Sequence, residues 1–470
     1  MPPQHSRTLS VCLIVKNEAA RLRRCLESVL PAAGQIVVVD TGSTDNTGEI
    51  ARDCGALVVE SAWQDDFSRA RNVSLQHASG DWILWLDADD IVPEESIDGL
   101  KGLTAREPDT VFAMVVRNQK PGGIGSEFMQ ARMFPNKKGI HFERRIHEQL
   151  MPSALRQGMK LENTAVVIEH HGYGDPGEMA AKARRNIALL KADYDRARPD
   201  PVSAVEIADS YSIIEDLDNA IQWYEHTLAI DRCEDIMPVI ASQAHVGLGN
   251  MLNKKDLHER AVAEFEHALR LCPGRSDALY CLAVAQDLAG RQEQAVCTLE
   301  RIIGGERSPT VQVSIDFRQA EIKAYLRLAA ILGMMKRWDA LNPVVERGLA
   351  KHGGRPEILN MAALAQYQQG KYMDALHGFE KSLRVAVEGN IDAYLGLCAI
   401  YLRAGRKDTL EQTVDKILPL FSGSPRFWAF CALTREPCPA IPGDVDQAKV
   451  EKEKEFLARA YGLPASKGDA

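Results

Sequence analysis

At 470 residues, 45% of them hydrophobic, the chain can bury a catalytic core and at least one further domain. Its net charge of −9 with no strongly basic block argues against a phosphate-backbone footprint, so nucleic acid is not an expected partner, and pairs such as Arg144-Arg145 and Arg184-Arg185 read as solvated faces. Ten scattered cysteines without paired C-x-x-C spacing argue against a zinc site, and no apolar stretch reaches bilayer length or forms a signal core, so a soluble cytoplasmic protein with free thiols is expected.

The first apolar run, Leu9 to Val15, is followed by Lys16-Asn17-Glu18 and by Leu22, Cys25, Leu26 and Val29 at helical spacing, which predicts strand, polar loop and helix. A second run, Ile36 to Val39, ends at Asp40 and passes through Thr41-Gly42-Ser43-Thr44-Asp45 into another helix, with Thr44 or Asp45 as candidate caps. A third strand covers Ala56 to Val59, and the next helix carries Phe67, Ala70 and Val73 beside Arg69 and Arg71. The fourth strand, Trp82 to Leu86, delivers Asp87-Ala88-Asp89.

Strands alternating with helices imply a mostly parallel sheet covered on both faces, whose ligands bind beyond the carboxyl ends of the strands. Three such ends carry polar groups: Asn17 and Glu18, Asp40, then Asp87 and Asp89. Asp and Asn crowd into turns for backbone reasons, but turns alone do not explain acids at several separate strand ends. Side chains two apart on an extended segment point the same way, so Asp87 and Asp89 suit a divalent metal, Mg²⁺ or Mn²⁺, that holds a diphosphate. Arg71 adds a basic clamp for leaving-group charge.

Two later clusters offer further groups. Read as extended, Phe142 to Leu150 places Ile146, Glu148 and Leu150 on one side and Arg145, His147 and Gln149 on the other. The run Val166-Val167-Ile168-Glu169 ends in His170-His171-Gly172-Tyr173, two imidazoles beside a flexible glycine.

Taken in order, Lys16-Asn17-Glu18, Val38 to Asp45, Ala70-Arg71-Asn72 and Gly80 to Asp90 resemble the family 2 glycosyltransferases of GT-A fold. The resemblance implies an inverting transferase with a nucleotide-sugar donor, by family preference a UDP-sugar. It implies donor contacts among Asn17, Glu18, Asp40, Ser43, Asp45, Arg71 and Asp87, with Asp40 at the base or ribose. It also implies a metal held by Asp89 with Asp87 nearby; Asp90 stands where Glu is common. The stretches Arg145 to Glu148 and His170 to Tyr173 resemble a subgroup with a following tetratricopeptide array, which includes peptide S-glycosyltransferases that modify bacteriocins. That resemblance implies that His147 or His170 completes the metal or diphosphate site and makes Glu148 the candidate base.

Beyond Tyr173 the chain changes character. Gly174-Asp175-Pro176-Gly177 reads as a hinge, and a basic helix from Glu178 to about Ala197 ends at Arg198-Pro199-Asp200-Pro201. Small or apolar residues then recur at Ala220, Ala261, Ala295, Ala340, Ala375 and Leu410, close to a 34-residue period apart from inserts near Arg232 to Pro238 and Gly304 to Ser314. Ala283, Ala363 and Gly249 take the tight positions of the first helices.

The expected organisation is a GT-A domain over residues 8–175, a linker helix over 176–200, a tetratricopeptide array over 201–423 and a helical cap over 424–463. The array suggests a protein or peptide acceptor, since stacked helix pairs form extended binding surfaces. A cell-surface glycan or lipid acceptor comes next, and a non-catalytic interaction protein is the competing class.

Overall fold

The computed structural model describes residues 7–118, 127–172, 176–195, 198–305, 317–435 and 440–463. Tyr173, the Gly174-Asp175 part of the hinge and residues 306–314 of the second insert lie outside them. The described residues fall into two compact units, one reaching Met251 and one beginning at Leu252.

The first unit is built on a mixed, mostly parallel eight-stranded sheet. Its strands are β1 (Leu9–Val15), β2 (Gln35–Asp40), β3 (Leu57–Glu60), β4 (Trp82–Leu86), β5 (Asp90–Ile91), β6 (Thr110–Asn118), β7 (Glu127–Pro135) and β8 (Lys160–His170). They lie in the order β3-β2-β1-β4-β7-β6-β8-β5. The first four listed pair parallel, so the ends of β1, β2 and β4 share one edge of the sheet. Beyond β4 the sheet changes sense, with β7 antiparallel to β4 and β8 antiparallel to β5. That last pairing sets Asp90 opposite His170, 80 positions apart.

Period-two alternation sorts the strand residues to the two faces. Val11, Leu13, Val38 and Leu84 pack with Leu22 and Leu26 of α1 (Leu22–Val29). Cys12, Val37, Ile83 and Trp85 pack on the other face with Phe134, Phe142 and Ala154. Helices α2 (Thr47–Asp53), α3 (Phe67–His77), α4 (Glu94–Thr104) and α5 (Met151–Arg156) complete the layers. The side chain of Asp45 accepts from the Thr47 amide, whereas α2 itself begins with Asn46 at its cap position.

Helix α6 (Pro176–Asp193) follows the sheet, and α7 (Pro201–Ile213) and α8 (Leu217–Leu228) form the first helix pair. A short α9 (Cys233–Ile236) occupies the first insert, and α10 (Pro238–Lys254) carries Gly247, where a Cβ would lie 2.2 Å from the Tyr224 ring. Gly247 is thus a further tight position, two residues before Gly249, which is itself buried.

The second unit is a run of helix pairs from His258–Leu271 to Gln447–Tyr461. Gly396 there repeats the close approach, with a Cβ position 2.3 Å from the Phe379 ring. Ala261, Ala295, Ala375 and Leu410 are buried at the fourth position of their helices, but in Trp338–His352 that position belongs to fully buried Leu341 instead of Ala340. Moving the register to Leu341 makes the step to Ala375 34 residues. Phe427, Trp428 and Phe430 are buried in the last helices, so the terminal aromatics are core. Among the described residues no helix is long and apolar enough to cross a membrane.

Candidate active site

The loops after β1 and β2 are tied to each other by their own side chains. Asn17, at φ 57°, accepts from the Thr44 amide through Oδ1, and its own amide donates to Ser43 Oγ. Asp45 accepts from the amides of Thr47 and Ala19, and Thr47 Oγ1 accepts from the Glu18 amide. Asp40 Oδ1 accepts from the amides of Gly42 and Ser43. Glu18 and Thr41 line a cavity of about 360 Å³ in this unit, while Asn17, Asp40, Ser43 and Asp45 shape the loops beside it.

Asp87 and Asp89 both line that cavity, but they do not point the same way. The strand stops at Leu86, and the Asp90 amide bonds back to the Asp87 carbonyl at 3.0 Å, so the chain turns where an extended alternation was expected. Asp87 consequently faces two arginines. Arg71 Nη2 donates to its Oδ1 at 2.8 Å, and Arg132 Nη1 lies 3.7 Å from its Oδ2. Both guanidiniums stack on Trp85, at 4.3 and 3.8 Å from ring centroids. Burial would raise the Asp87 carboxyl, but the charges of Arg71 and Arg132 outweigh it and hold it down at about 2.

Asp89 faces His170 and Asp90 instead. Ligating atoms of these three residues lie within 4.8 Å of one another. Asp90 is fully buried, and accepts from Arg132 Nη1 at 2.9 Å and from the Asp87 amide at 2.8 Å. Its Oδ1 lies 2.9 Å from His170 Nδ1. A carboxylate on Nδ1 fixes the ring and presents Nε2 to a metal. At Gly172 a Cβ would lie 2.3 Å from Asp89 Oδ2 and 2.6 Å from His170 Nε2. A cradle that only a missing side chain keeps open, lined by a carboxylate and an imidazole, fits a small divalent ion. Asp87 stays outside this trio, its oxygens turned to the arginines.

Burial, aided by Asp87 and Asp90 against the pull of His170, raises the Asp89 carboxyl. Burial alone would lower the His170 imidazole, but its bond to Asp90 and the three aspartate charges raise it. A bound cation would reverse the balance at Asp89.

Residues 143–149 are a tight loop instead of an extended strand. Glu143 and Gln149 exchange two backbone hydrogen bonds of 2.9 Å, and Arg144 and His147 turn the chain at φ 76° and 51°. Asn72 anchors the loop's start by bonding both backbone groups of Phe142. Glu148 and His147 both reach the cavity wall. Glu148 Oε1 accepts from Arg71 Nε at 2.6 Å, while His147 Nδ1 lies 3.2 Å from Glu206.

Four residues to which the sequence reading gives no role in the site belong to it, Arg185 reading there as part of a solvated face. Arg132 and Asp90 brace the aspartate turn. Lys182 and Arg185, on the expected linker helix α6, line the same cavity as Asp87, Asp89 and His170. Arg185 Cζ sits 5.0 Å over the Phe67 ring, and burial lowers its pKa. Lys182 and Arg185 are three apart and share one helix face, a signal present in the sequence but indistinguishable there from a solvated basic stripe.

Residues 10–170 match the model of Glycosyl transferase family 2. A TPR repeat-containing protein of Synechococcus elongatus is 35% identical over 196 residues, covering 40% of this chain and 48% of that protein. The SPbeta prophage-derived glycosyltransferase SunS of Bacillus subtilis is 31% identical over 200 residues, or 39% and 44% of the two chains. The chain thus spans about half the length of these curated relatives. Among solved structures, a tetratricopeptide repeat protein from Parabacteroides merdae covers 57% of this chain and 94% of its own at 13% identity and a TM-score of 0.42. The amino-terminal domain belongs to glycosyl transferase family 2, and tetratricopeptide-like helix pairs follow it.

Proposed function

We propose that the protein transfers a sugar from a UDP-sugar to a protein or peptide, with inversion at the anomeric carbon and with a divalent metal bound by Asp89 and His170. The observation that carries the reading is the cradle at Gly172, where Asp89 and His170 converge beside a cavity that also holds cationic side chains. The mixed oxygen and nitrogen donor set suits Mn²⁺, with Mg²⁺ next. Held by Asp89 and His170, such an ion would supply positive charge for the diphosphate.

The residues of the chain supply the rest. Lys182 and Arg185 face the departing diphosphate, and Arg71 is held rigid between Asp87 and Glu148, so little reorganisation is needed when charge develops. The acceptor atom bonds to the anomeric carbon from the side opposite the diphosphate, which leaves with the bonding electron pair. Glu148, at the cavity wall, is the carboxylate we assign to the acceptor's proton. Asp40, Asn17, Ser43 and Asp45 shape the loops assigned to the nucleoside. The helix pairs, together with the motif resemblance to peptide S-glycosyltransferases, support a polypeptide acceptor.

Purified protein incubated with UDP-sugars and Mn²⁺ is expected to release UDP, and Asp89→Ala to stop the release. No release and no metal-dependent nucleotide binding would overturn the reading. Mass spectrometry of a peptide library after incubation reads the acceptor, and label on glycan or lipid alone would remove the polypeptide assignment.

A further inference from the structure

The loop that carries His147 and Glu148 is not held by the sheet alone. Among the described residues, its backbone bonds to other backbone are those of the Glu143–Gln149 neck and of Arg145, whose carbonyl accepts from the Phe67 amide at 2.8 Å. The two left-handed residues between, Arg144 and His147, have no glycine to ease the turn. Such conformations persist where neighbours over-determine them.

Those neighbours come from the helices beyond the sheet. Glu206 of α7, nearly buried, accepts from both terminal nitrogens of Arg144, at 3.0 and 2.8 Å. The same carboxylate lies 3.2 Å from His147 Nδ1, so one side chain grips both left-handed residues. Ser203, one turn earlier, accepts from Arg144 at 3.1 Å, and Asp193 at the end of α6 pairs with Arg145 at 3.1 Å. A planar fork on a carboxylate fixes orientation as well as charge. From Glu206 the contacts run through Arg144 and His147 to the loop, then from Glu148 to Arg71, and from Arg71 to Asp87.

We propose that Glu206 is a positioning residue of the transferase site: by gripping Arg144 and His147 it sets the loop that presents Glu148 to Arg71 and to the acceptor. This rests on the transferase reading above. The first helix of the expected repeat array is then part of the catalytic apparatus, and a division of the chain near residue 200 would cut through the site.

The test uses the full chain, with UDP release at saturating Mn²⁺ as the readout. Glu206→Gln, which keeps shape and loses charge, is expected to lower kcat about tenfold or more, with KM for the UDP-sugar within about twofold and an unchanged thermal midpoint. Arg144→Lys should behave alike, and the double variant should be no worse than either single one, because both break the same link. Glu453→Gln, which weakens an ion pair with Arg426 in the second unit, should leave turnover unchanged. If Glu206→Ala does not fold, the Gln and Lys variants decide the matter. Wild-type turnover with unaltered kcat in both variants, or additive losses in the double variant, overturns the proposal alone. Absence of wild-type turnover with every UDP-sugar overturns the transferase reading and the proposal with it.

Discussion

Arg71 and Glu148 stand 77 positions apart in the chain, yet Arg71 Nε donates to Glu148 Oε1 at 2.6 Å, and the same guanidinium holds Asp87. One nearly buried cation therefore joins the aspartate turn to the candidate base. Removing it takes from Glu148 its arginine and leaves Asp87 only Arg132, at 3.7 Å, in a poorly solvated place, which is costlier than never having placed the acids there.

Arg71→Met should accordingly lower the unfolding free energy by about 3 kcal/mol. Arg71→Lys keeps the charge but not the two-sided fork, and should fall between the two. Urea denaturation followed by tryptophan emission would measure both; a change under about 0.5 kcal/mol for Met, the range of ordinary surface substitutions, would show that the pair contributes little.

The low pKa of Asp87 sets a pH dependence with a definite sign. Its folded value, about 2, lies below the ordinary 3.8, so its contribution is complete above about pH 4 and fades as pH falls towards 2. With its side chain a third exposed, solvent screening trims the contribution to roughly 1–2 kcal/mol. In the presence of EDTA, the thermal midpoints of wild type and Asp87→Asn should converge between pH 4 and 2. A constant gap over that window would contradict the assignment.

Gly172→Ala should act on the metal and little else. The added methyl carbon would sit 2.3 Å from Asp89 Oδ2 and 2.6 Å from His170 Nε2, inside the cradle. Metal-dependent UDP binding by calorimetry should be lost while the metal-free thermal midpoint moves by only a few degrees. Retained binding would place the ion elsewhere.

Asp90→Asn keeps the shape of the buried acid and removes the charge that orients His170. Apparent Mn²⁺ affinity should drop roughly 10–100-fold, as for carboxylates behind other metal-bound histidines. An unchanged Mn²⁺ titration would demote Asp90 to a purely structural anion.

Lys182→Ala and Arg185→Ala should each raise the KM for the UDP-sugar several-fold with less effect on kcat, and the wild-type KM should rise with salt more steeply than that of either variant. Equal salt slopes in all three proteins would remove α6 from the diphosphate site.

The alternating strands and helices were legible because apolar periodicity is local, and so was the gathering of acids at the ends of β1, β2 and β4. What hid was set by contacts distant in sequence. Arg132 lies on an antiparallel strand, and Asp90 meets His170 only because β5 pairs with β8. The strand's end at Leu86 was legible, but Asp87 to Asp89 looked extended as well because the bond from the Asp90 amide back to the Asp87 carbonyl leaves no mark in an apolar pattern. Residues 143–149 alternated like a strand, but ion pairs to α6 and α7 bend them into a loop. Ala340 yielded to Leu341 by one position because a degenerate repeat offers two small-to-large registers and only packing chooses.

The indole of Trp85, over whose ring the guanidiniums of Arg71 and Arg132 both lie, carries a consequence for the bench. Emission from an indole responds to charge close to its ring, and here both charges belong to the network around Asp87. A change in Asp87's surroundings when a ligand docks is therefore expected to register as light, giving an intrinsic optical probe that needs neither label nor knowledge of the sugar.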